Sequence, residues 1–156
     1  MTARPTMLEL IGELRGMTNA GDNDYTIGGV TYWTDDQLQA ILDRRRTEVV
    51  NEPLKHIDEY GSGGTLSITR YYSHFGNFEQ TQGGTALFVL RDNTWNVAGT
   101  ALYTVDYARG EVIFSTNQAG GNISYYLTGR SYDLNAAAAD VWDRKAAQVA
   151  GASYSW

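Results

Sequence analysis

A chain of 156 residues is long enough for one ordinary domain, and folding buries roughly 70% of the surface that such a chain exposes when unfolded. Cysteine is absent, which excludes disulfides, thiolate metal sites and cysteine nucleophiles. The formal net charge of −6 argues against a basic surface that grips a phosphate backbone, and no apolar run in the sequence approaches the ~20 residues that cross a bilayer. Residues 1–5 lack the apolar stretch of a secretory signal, so we expect the protein to be made and kept in a cytoplasm.

The first helix is predicted to begin at Pro5, because proline is well tolerated in the first helical turn. Gly16 is the expected left-handed residue that ends this helix. Residues 18–31 are polar and contain several glycines, which predicts a loop. Within it, residues 22–24 favour a plain turn over a calcium site, because the later glutamate and glycine of an EF-hand are missing. The apolar positions at helical spacing are Met7, Leu10, Ile11 and Leu14.

The second helix has well-defined start signals. Thr34 is the predicted N-cap, Gln37 completes a capping box, and Trp33 is expected to pack on Leu38 as a hydrophobic staple. Consecutive arginines at 44–46 point in different directions on a helix, which favours a solvated helix end over a nucleic-acid site. The apolar face is expected to contain Leu38, Ile41, Leu42 and Val49.

A β-rich region is predicted to follow. Pro53 stops helical structure, and the period of the sequence then changes from helical to extended. Glycines predict turns at residues 61–64 and 108–110. Residues 73–84 are too many for a tight turn and predict either a protruding or a floppy loop. The predicted strands are 65–72, 86–90, 101–105, 111–114 and 122–128.

A final, alanine-rich helix is predicted between Asp133, as its N-cap, and Gly151, as the residue that ends it. Alanines at 136–139 give the helix a narrow flank that another backbone can approach closely. Such a flank suits packing against neighbouring helices of this chain or of another. The residues expected in the core are Leu134, Val141 and Trp142.

Candidate catalytic residues are few. A Ser–His–Asp mechanism needs a histidine base, and the sequence offers only His56 and His74, neither of them in a nucleophile-elbow pattern. Without cysteines nearby, the two histidines also make a poor zinc site. We therefore predict no enzyme activity, no metal and no cofactor, and a small hydrolase using one of these histidines stays an open alternative.

The aromatic residues near position 75 have two interpretations. They form either a stacking platform for a sugar or a base, or the packing of a sheet or an interface. Packing is favoured, because tyrosine and tryptophan commonly serve interfaces. The platform keeps a β-rich carbohydrate-binding protein open as an alternative. The residues concerned are Tyr71, Tyr72, Phe75 and Phe78.

Three stretches, taken in order, resemble the head-tail connector (adaptor, head completion) proteins of tailed bacteriophages. They are the helix at 34–43, the hairpin at 103–114 and the helix start at 132–138. The order of the motifs carries the resemblance, since each motif alone is loose. The resemblance implies an α+β fold in which a small helical bundle, made of two N-terminal helices and a C-terminal helix, carries an inserted antiparallel β domain. The corresponding boundaries are 1–52, 53–128 and 129–156.

The resemblance also implies an architectural function in the virion neck, between capsid and tail. Copies form a homo-oligomeric ring, typically about twelve-fold, below the portal protein. The ring extends the DNA channel without sequence-specific DNA binding and gives the tail terminator or stopper protein a docking surface, with no catalysis. The interface candidates are Arg44, Arg45, Tyr71, Phe75 and Phe78.

The sequence departs from this family in two ways. Its β region, residues 53–128, is large for a connector insertion. Similar chains often continue past the position of Trp156 into a further arm or helix, which leaves open how the C-terminus engages a neighbour. Another tail-associated phage structural protein therefore stays beside carbohydrate binding as the alternative function.

Overall fold

The structure is a computed structural model that describes residues 2–82, 86–121 and 124–153. It contains three α-helices and several antiparallel sheets, which confirms the α+β class. The chain forms two compact units. Met1–Arg46 and Tyr132–Trp156 make up the helical unit, and Thr47–Ser131 make up the β unit. Among the described helices, none combines the length and the apolar character that a membrane span needs.

The helical unit contains three mutually contacting helices and a short hairpin. A 3-10 turn at Pro5–Met7 leads into α1, and the hairpin of β1 and β2 lies between α1 and α2 in the chain. The elements are α1 (Leu8–Thr18), β1 (Tyr25–Ile27), β2 (Val30–Tyr32), α2 (Asp35–Arg44) and α3 (Leu134–Ser153).

Local signals specify where the helices begin. The capping box is confirmed, because the Thr34 hydroxyl accepts a hydrogen bond from the Gln37 amide at 3.3 Å and the Thr34 amide donates to Gln37 Oε1 at 3.0 Å. Asp133 caps α3 as predicted, since its Oδ1 accepts a hydrogen bond from the Ala136 amide at 2.9 Å. One buried cluster holds the three helices together and includes Met7, Leu10, Ile11, Leu14, Trp33, Leu38, Ile41, Leu42, Leu134, Ala137 and Val141.

Four predictions in the helical unit were wrong. The first helix runs past Gly16 to Thr18, and Asn19 takes the left-handed conformation with φ 49°. The predicted loop contains the β1–β2 hairpin, whose turn is made by Gly28 and Gly29 with φ of 58° and 79°. The last helix continues through Gly151 to Ser153. Trp142, expected in the core, is 47% exposed.

The β unit contains nine strands within the described residues. They pair as a four-stranded sheet in the order β4-β7-β10-β9, a three-stranded sheet in the order β3-β11-β8, and a two-stranded β5-β6 hairpin. The strands are β3 (Arg46–Pro53), β4 (Lys55–His56), β5 (Glu59–Tyr60), β6 (Leu66–Ser67), β7 (Arg70–Tyr72), β8 (Val89–Asp92), β9 (Tyr103–Asp106), β10 (Glu111–Phe114) and β11 (Tyr125–Tyr132).

Aromatic rings dominate the core of the β unit. Tyr71 lies edge-on to Phe114 and Tyr125, with ring centroids 5.4 Å and 5.2 Å apart, and Phe78 packs edge-on to Phe88 at 5.3 Å. Pairing of β7 with β10 brings Tyr71 and Phe114 into one sheet. The predicted β9–β10 hairpin and its turn at Gly110 are confirmed.

Several strand boundaries differ from the prediction. Extended structure begins at Arg46 and not after Pro53, so Val49 is a buried strand residue rather than part of a helix face. The predicted strand at 65–72 is two short strands, and those predicted at 86–90 and 122–128 are observed as Val89–Asp92 and Tyr125–Tyr132. Asn122 and Ile123, predicted to begin the last strand, lie outside the described residues, as do Tyr154, Ser155 and Trp156 at the C-terminus.

Residues 73–82 do not protrude as a free loop. The Asn77 amide donates to the Ala108 carbonyl at 3.0 Å, the Phe78 amide donates to the Tyr107 carbonyl at 2.9 Å, and Phe78 bridges to Ser131. The segment is therefore fastened to the turn before β10 and to β11. Gly83 and Gly84, the end of the predicted loop, lie outside the described residues.

Candidate interaction surfaces

The two histidines are each placed beside a carboxylate. His74 Nδ1 lies 2.8 Å from Glu52 Oε1, and Ser73 donates its hydroxyl hydrogen to the other oxygen of Glu52. His56 Nδ1 lies 2.8 Å from Asp58 Oδ1. In a serine nucleophile, the hydroxyl is bonded to the imidazole and the imidazole to the acid. In the first of these groups, the Glu52 carboxylate contacts both the Ser73 hydroxyl and the His74 ring. This bonding pattern is that of a structural contact, with the carboxylate holding its two neighbours in place.

Two of the five interface candidates are core residues of the β unit. Tyr71 is fully buried and Phe78 is 1% exposed. The expectation that these rings form an interface surface is corrected, because both side chains belong to the buried core cluster of the same unit. Burial raises the pKa of the Tyr71 phenol to about 12, with the neighbouring Tyr125 adding to the effect.

Phe75 is the interface candidate that stays on the surface of the β unit, where it is 38% exposed. Its amide donates to the Ser73 hydroxyl at 2.9 Å, and Ser73 is held in turn by Glu52. The Phe75 ring is therefore exposed on a segment that hydrogen bonds hold in place.

Arg44 and Arg45 end α2 in different environments. Arg45 binds Asp140 on α3 through two bonds, with Nε 2.8 Å from Oδ2 and Nη2 2.7 Å from Oδ1. This hydrogen-bonded pair lowers the pKa of Asp140 and raises that of Arg45. The Arg45 carbonyl also accepts a hydrogen bond from the Asp133 amide at 3.0 Å. Arg45 thus joins α2 to α3, whereas Arg44 is exposed beside the pair.

A second apolar face of α3 remains exposed. The buried face of this helix contains Ala137 and Val141, and the exposed face carries Trp142 and Val149, which are 47% and 69% exposed. Ala146 and Ala150 complete the exposed face and line one groove together with Trp142 and Val149. These positions follow the spacing i, i+4, i+7 and i+8 on a helix. We call Trp142, Ala146, Val149 and Ala150 the α3 face.

Lys145 lies beside the Trp142 ring and is held in place by the end of α1. Lys145 Nζ lies 5.1 Å from the centre of the Trp142 ring. The same ammonium donates hydrogen bonds to the carbonyl oxygens of Thr18 at 2.8 Å and Asn19 at 2.9 Å, where α1 ends. Lys145 therefore caps α1 and places a cation at the edge of the α3 face.

The hairpin of the helical unit extends the apolar surface next to the α3 face. Tyr25 and Ile27 line a cavity with Lys145, Gln148 and Val149. The Tyr25 hydroxyl donates to Gln148 Oε1 and accepts a hydrogen bond from Trp33 Nε1 at 3.1 Å. This chain of bonds fixes the hairpin against α3.

An exposed aromatic pair lies on the β unit. Trp95 is 55% exposed and stacks on Tyr126, with ring centroids 5.0 Å apart and planes inclined by 26°. Asp92 fixes the turn that carries Trp95, because its Oδ1 accepts hydrogen bonds from the Thr94 amide, the Thr94 hydroxyl and the Asn96 amide. The hydroxyl bond of Thr94 is the main cause of the lowered Asp92 pKa.

A buried carboxylate stabilises the four-stranded sheet. Glu111 is 2% exposed and accepts hydrogen bonds from Arg70 Nε at 2.8 Å and from the Tyr72 hydroxyl at 3.0 Å. The hydrogen bond from Glu111 raises the pKa of Arg70. Burial raises the pKa of Tyr72, with the carboxylate adding to it. The hydroxyl of Tyr72 is therefore held by Glu111 within the sheet.

Sequence reasoning missed the α3 face and the Trp95–Tyr126 pair. The first had a signal, because apolar residues of the last helix occupy two adjacent stripes and only one can face the core. The second pairs residues 31 positions apart, and no local pattern indicates such a contact. No protein-family model matches the sequence, and comparison with curated proteins gives no match.

Proposed function

We propose that the protein is an architectural subunit of the head-tail connector kind, which works as one copy in a ring below a phage portal. The observation that carries this proposal is the α3 face. A helix that is apolar on its exposed side as well as on its buried side normally has a partner on both sides. Trp142 is 47% exposed on this side, and a neighbouring subunit is the partner that the proposal supplies.

The arrangement of the chain supports the same proposal. The helical unit is built from the two ends of the chain, and the β unit is the segment between them. We infer a connector-like bundle of two N-terminal helices and a C-terminal helix that carries an inserted β domain. The three stretches that carry the family resemblance fall on α2 with its capping box, on the β9–β10 hairpin, and on the start of α3.

In this proposal the ring, typically about twelve-fold, sits in the virion neck. It extends the DNA channel below the portal protein and offers the tail terminator or stopper a docking surface. A formal net charge of −6 suits a passage through which genomic DNA slides without being held.

The direct test is assembly on a portal ring. The purified chain is mixed with portal particles and the product is imaged by electron microscopy, which should show an added ring below the portal. Trp142→Ser should reduce ring formation, while Trp95→Ser is the matched control because it removes a tryptophan of similar exposure, 55% against 47%, from the β unit. A chain that never joins the portal at any concentration would overturn the proposal.

A second candidate function is carbohydrate binding, and the Trp95–Tyr126 pair favours it. An exposed indole on a fixed turn is a stacking surface for the apolar face of a sugar ring. A glycan array is the test, in which Trp95→Ala should abolish binding. Phe75→Ala and Tyr72→Ala test the aromatic residues that the sequence suggested. Loss of signal only in the Trp95 variant would assign the site to the stacked pair.

A further inference from the structure

The turn after β8 holds Trp95 in a conformation that large side chains rarely adopt. Trp95 has φ 65°, in the left-handed region of the backbone. The turn imposes this conformation, since the Trp95 amide donates to the Asp92 carbonyl at 3.0 Å and the Asp92 amide donates to the Asn96 carbonyl at 3.0 Å. Backbone strain of this kind is concentrated where a fold must hold a functional group in one place. Here the strained residue is an indole that is 55% exposed.

Trp95 lies against the outward face of the three-stranded sheet. Along β11 the side chains alternate, with Tyr125 and Leu127 buried and Tyr126 between them partly exposed. The indole stacks on the Tyr126 ring, so a second aromatic ring supports it from the side of the sheet. A supported, exposed indole of this kind is a surface on which the apolar face of a sugar ring can stack.

A cation lies beside this stack. Arg91 on β8 is the antiparallel partner of Tyr126, so the two side chains are neighbours on the outward face. Within the described residues, the Arg91 guanidinium makes neither a hydrogen bond nor an ion pair. Asp92 follows Arg91 in the chain but pairs with the buried Tyr125, and its Oδ1 accepts three hydrogen bonds from the turn. The guanidinium is therefore available to an anion bound next to the indole.

We propose that Trp95, Tyr126 and Arg91 bind an acidic sugar, which is a pyranose that carries a carboxylate. The apolar face of the pyranose would stack on the indole, and the Arg91 guanidinium would hold the carboxylate through paired hydrogen bonds. This inference rests on the carbohydrate-binding candidate, because it names the class of sugar for the same aromatic pair.

A nucleic-acid strand is the competing ligand, because its bases also stack on aromatic rings. Sites for single strands combine such rings with a positively charged groove that follows the phosphate backbone. Strand pairing places one arginine beside the Trp95–Tyr126 stack, and the whole chain has a formal net charge of −6. One stacking surface with one cation matches a single acidic sugar unit better than a run of phosphates.

Matched glycans test the inference. Oligosaccharides of a hexuronic acid are printed beside the neutral hexose oligosaccharides of the same linkage and ring configuration, so that the carboxylate is the difference within each pair. Half-saturating protein concentrations should show that the natural protein binds the acidic member about tenfold or more tightly. Arg91→Gln should remove this preference, whereas Arg91→Lys should keep part of it, because lysine retains the charge and loses the paired geometry. Trp95→Ala should lose both members.

Arg109→Gln is the matched control, since it removes an exposed arginine from the turn between β9 and β10. It should leave the preference unchanged, and thermal melts confirm that each variant is folded. Equal binding of both members of each pair, or a preference that Arg91→Gln and Arg109→Gln reduce alike, would overturn the inference and leave the carbohydrate candidate in place.

A single-stranded thymidine oligonucleotide is tested beside the glycans. Tighter binding of this oligonucleotide than of any glycan, lost in Trp95→Ala, would assign the stack to nucleic acid and overturn the inference. Failure to bind every glycan would remove the carbohydrate candidate itself together with this inference. The imaging of rings on the portal is a separate measurement, so none of these results changes its outcome.

Discussion

Arg45 at the end of α2 binds Asp140 on α3 through two parallel hydrogen bonds of 2.8 Å and 2.7 Å. Because the bonds favour the ionised carboxylate, the folded state holds the pKa of Asp140 below its usual value. A depressed carboxyl pKa contributes stability that is complete above the unfolded pKa and is lost as the pH falls through the folded one.

We therefore expect Asp140→Asn to lower the melting temperature at pH 7 and to lose this deficit progressively as the pH falls from about 4 through the lowered pKa of Asp140, where the natural carboxyl becomes protonated too. Thermal melts of both proteins between pH 7 and pH 3 measure the effect. Asp143→Asn is the control, because it makes the same charge change on α3 and leaves the pair intact. A deficit that persists unchanged at pH 3 would show that the ion pair is not its cause.

The buried Tyr71 phenol is expected to make the stability of the protein depend on pH in the alkaline range. Its hydroxyl has no hydrogen-bond partner among the described residues, and burial raises its pKa to about 12. A phenol with a raised folded pKa contributes stability below the unfolded pKa of about 10 that is lost as the pH rises toward 12. We expect Tyr71→Phe to be neutral or slightly stabilising at pH 7 and to weaken the alkaline loss of stability.

Urea unfolding of Tyr71→Phe and of the natural protein at pH 7 and pH 11 provides the comparison. Tyr71→Ala is the size control and should be less stable than Tyr71→Phe by about 3–5 kcal/mol at both pH values, because it leaves a cavity among Phe114 and Tyr125. A Phe variant that loses more than about 1 kcal/mol at pH 7 would mean that the hydroxyl does have a partner.

Elements with strong local signals were predictable. The capping box of Thr34 and Gln37, the cap at Asp133, and the β9–β10 hairpin with its turn at Gly110 each depend on residues a few positions apart. The α1 stripe was predictable too, because its spacing matches one helical face. These signals supported the fold class and the positions at which α2 and α3 begin.

The remaining features depend on contacts between distant residues. Val49 fits the apolar spacing of α2, yet it is buried in β3, because β-branched neighbours and strand pairing outweigh that pattern. Periodicity shows that α3 has apolar residues on two adjacent stripes, but only packing against α1 and α2 decides that Val141 is buried and Trp142 exposed. Of the predicted interface residues, Tyr71 and Phe78 were misplaced for the same reason: an aromatic residue near a long loop looks the same in sequence whether it is buried or exposed.

The end of α1 gives a pair of substitutions with opposite signs. Asn19 has φ 49°, which favours glycine, so Asn19→Ala should destabilise the protein by about 1 kcal/mol and Asn19→Gly should be close to neutral. Gly16 lies inside the helix with nothing within 4 Å of an added methyl group, so Gly16→Ala should stabilise by about 1 kcal/mol. Chemical denaturation measures all three variants. Destabilisation by Gly16→Ala would place the end of the helix at Gly16 after all.

No other residue can replace Gly110 in the β unit without strain. It has φ 63°, and a methyl group added to it would lie 2.1 Å from the Phe75 carbonyl oxygen and 3.2 Å from Ser73 Cβ. The left-handed conformation alone costs an alanine about 1–2 kcal/mol, and the backbone contact cannot be relieved by moving a flexible side chain.

We therefore expect Gly110→Ala to destabilise the protein by more than about 2 kcal/mol and to loosen the segment that presents Phe75. The urea midpoint measures the first effect, and amide hydrogen exchange at Asn77 and Phe78 measures the second, because both amides bond to the turn before Gly110. Gly120→Ala is the matched control, since nothing lies within 4 Å of its added methyl group. Equal stability of the two variants would mean that residues 73–78 shift to make room for the methyl group. The segment that carries Phe75 would then be more flexible than its hydrogen bonds indicate.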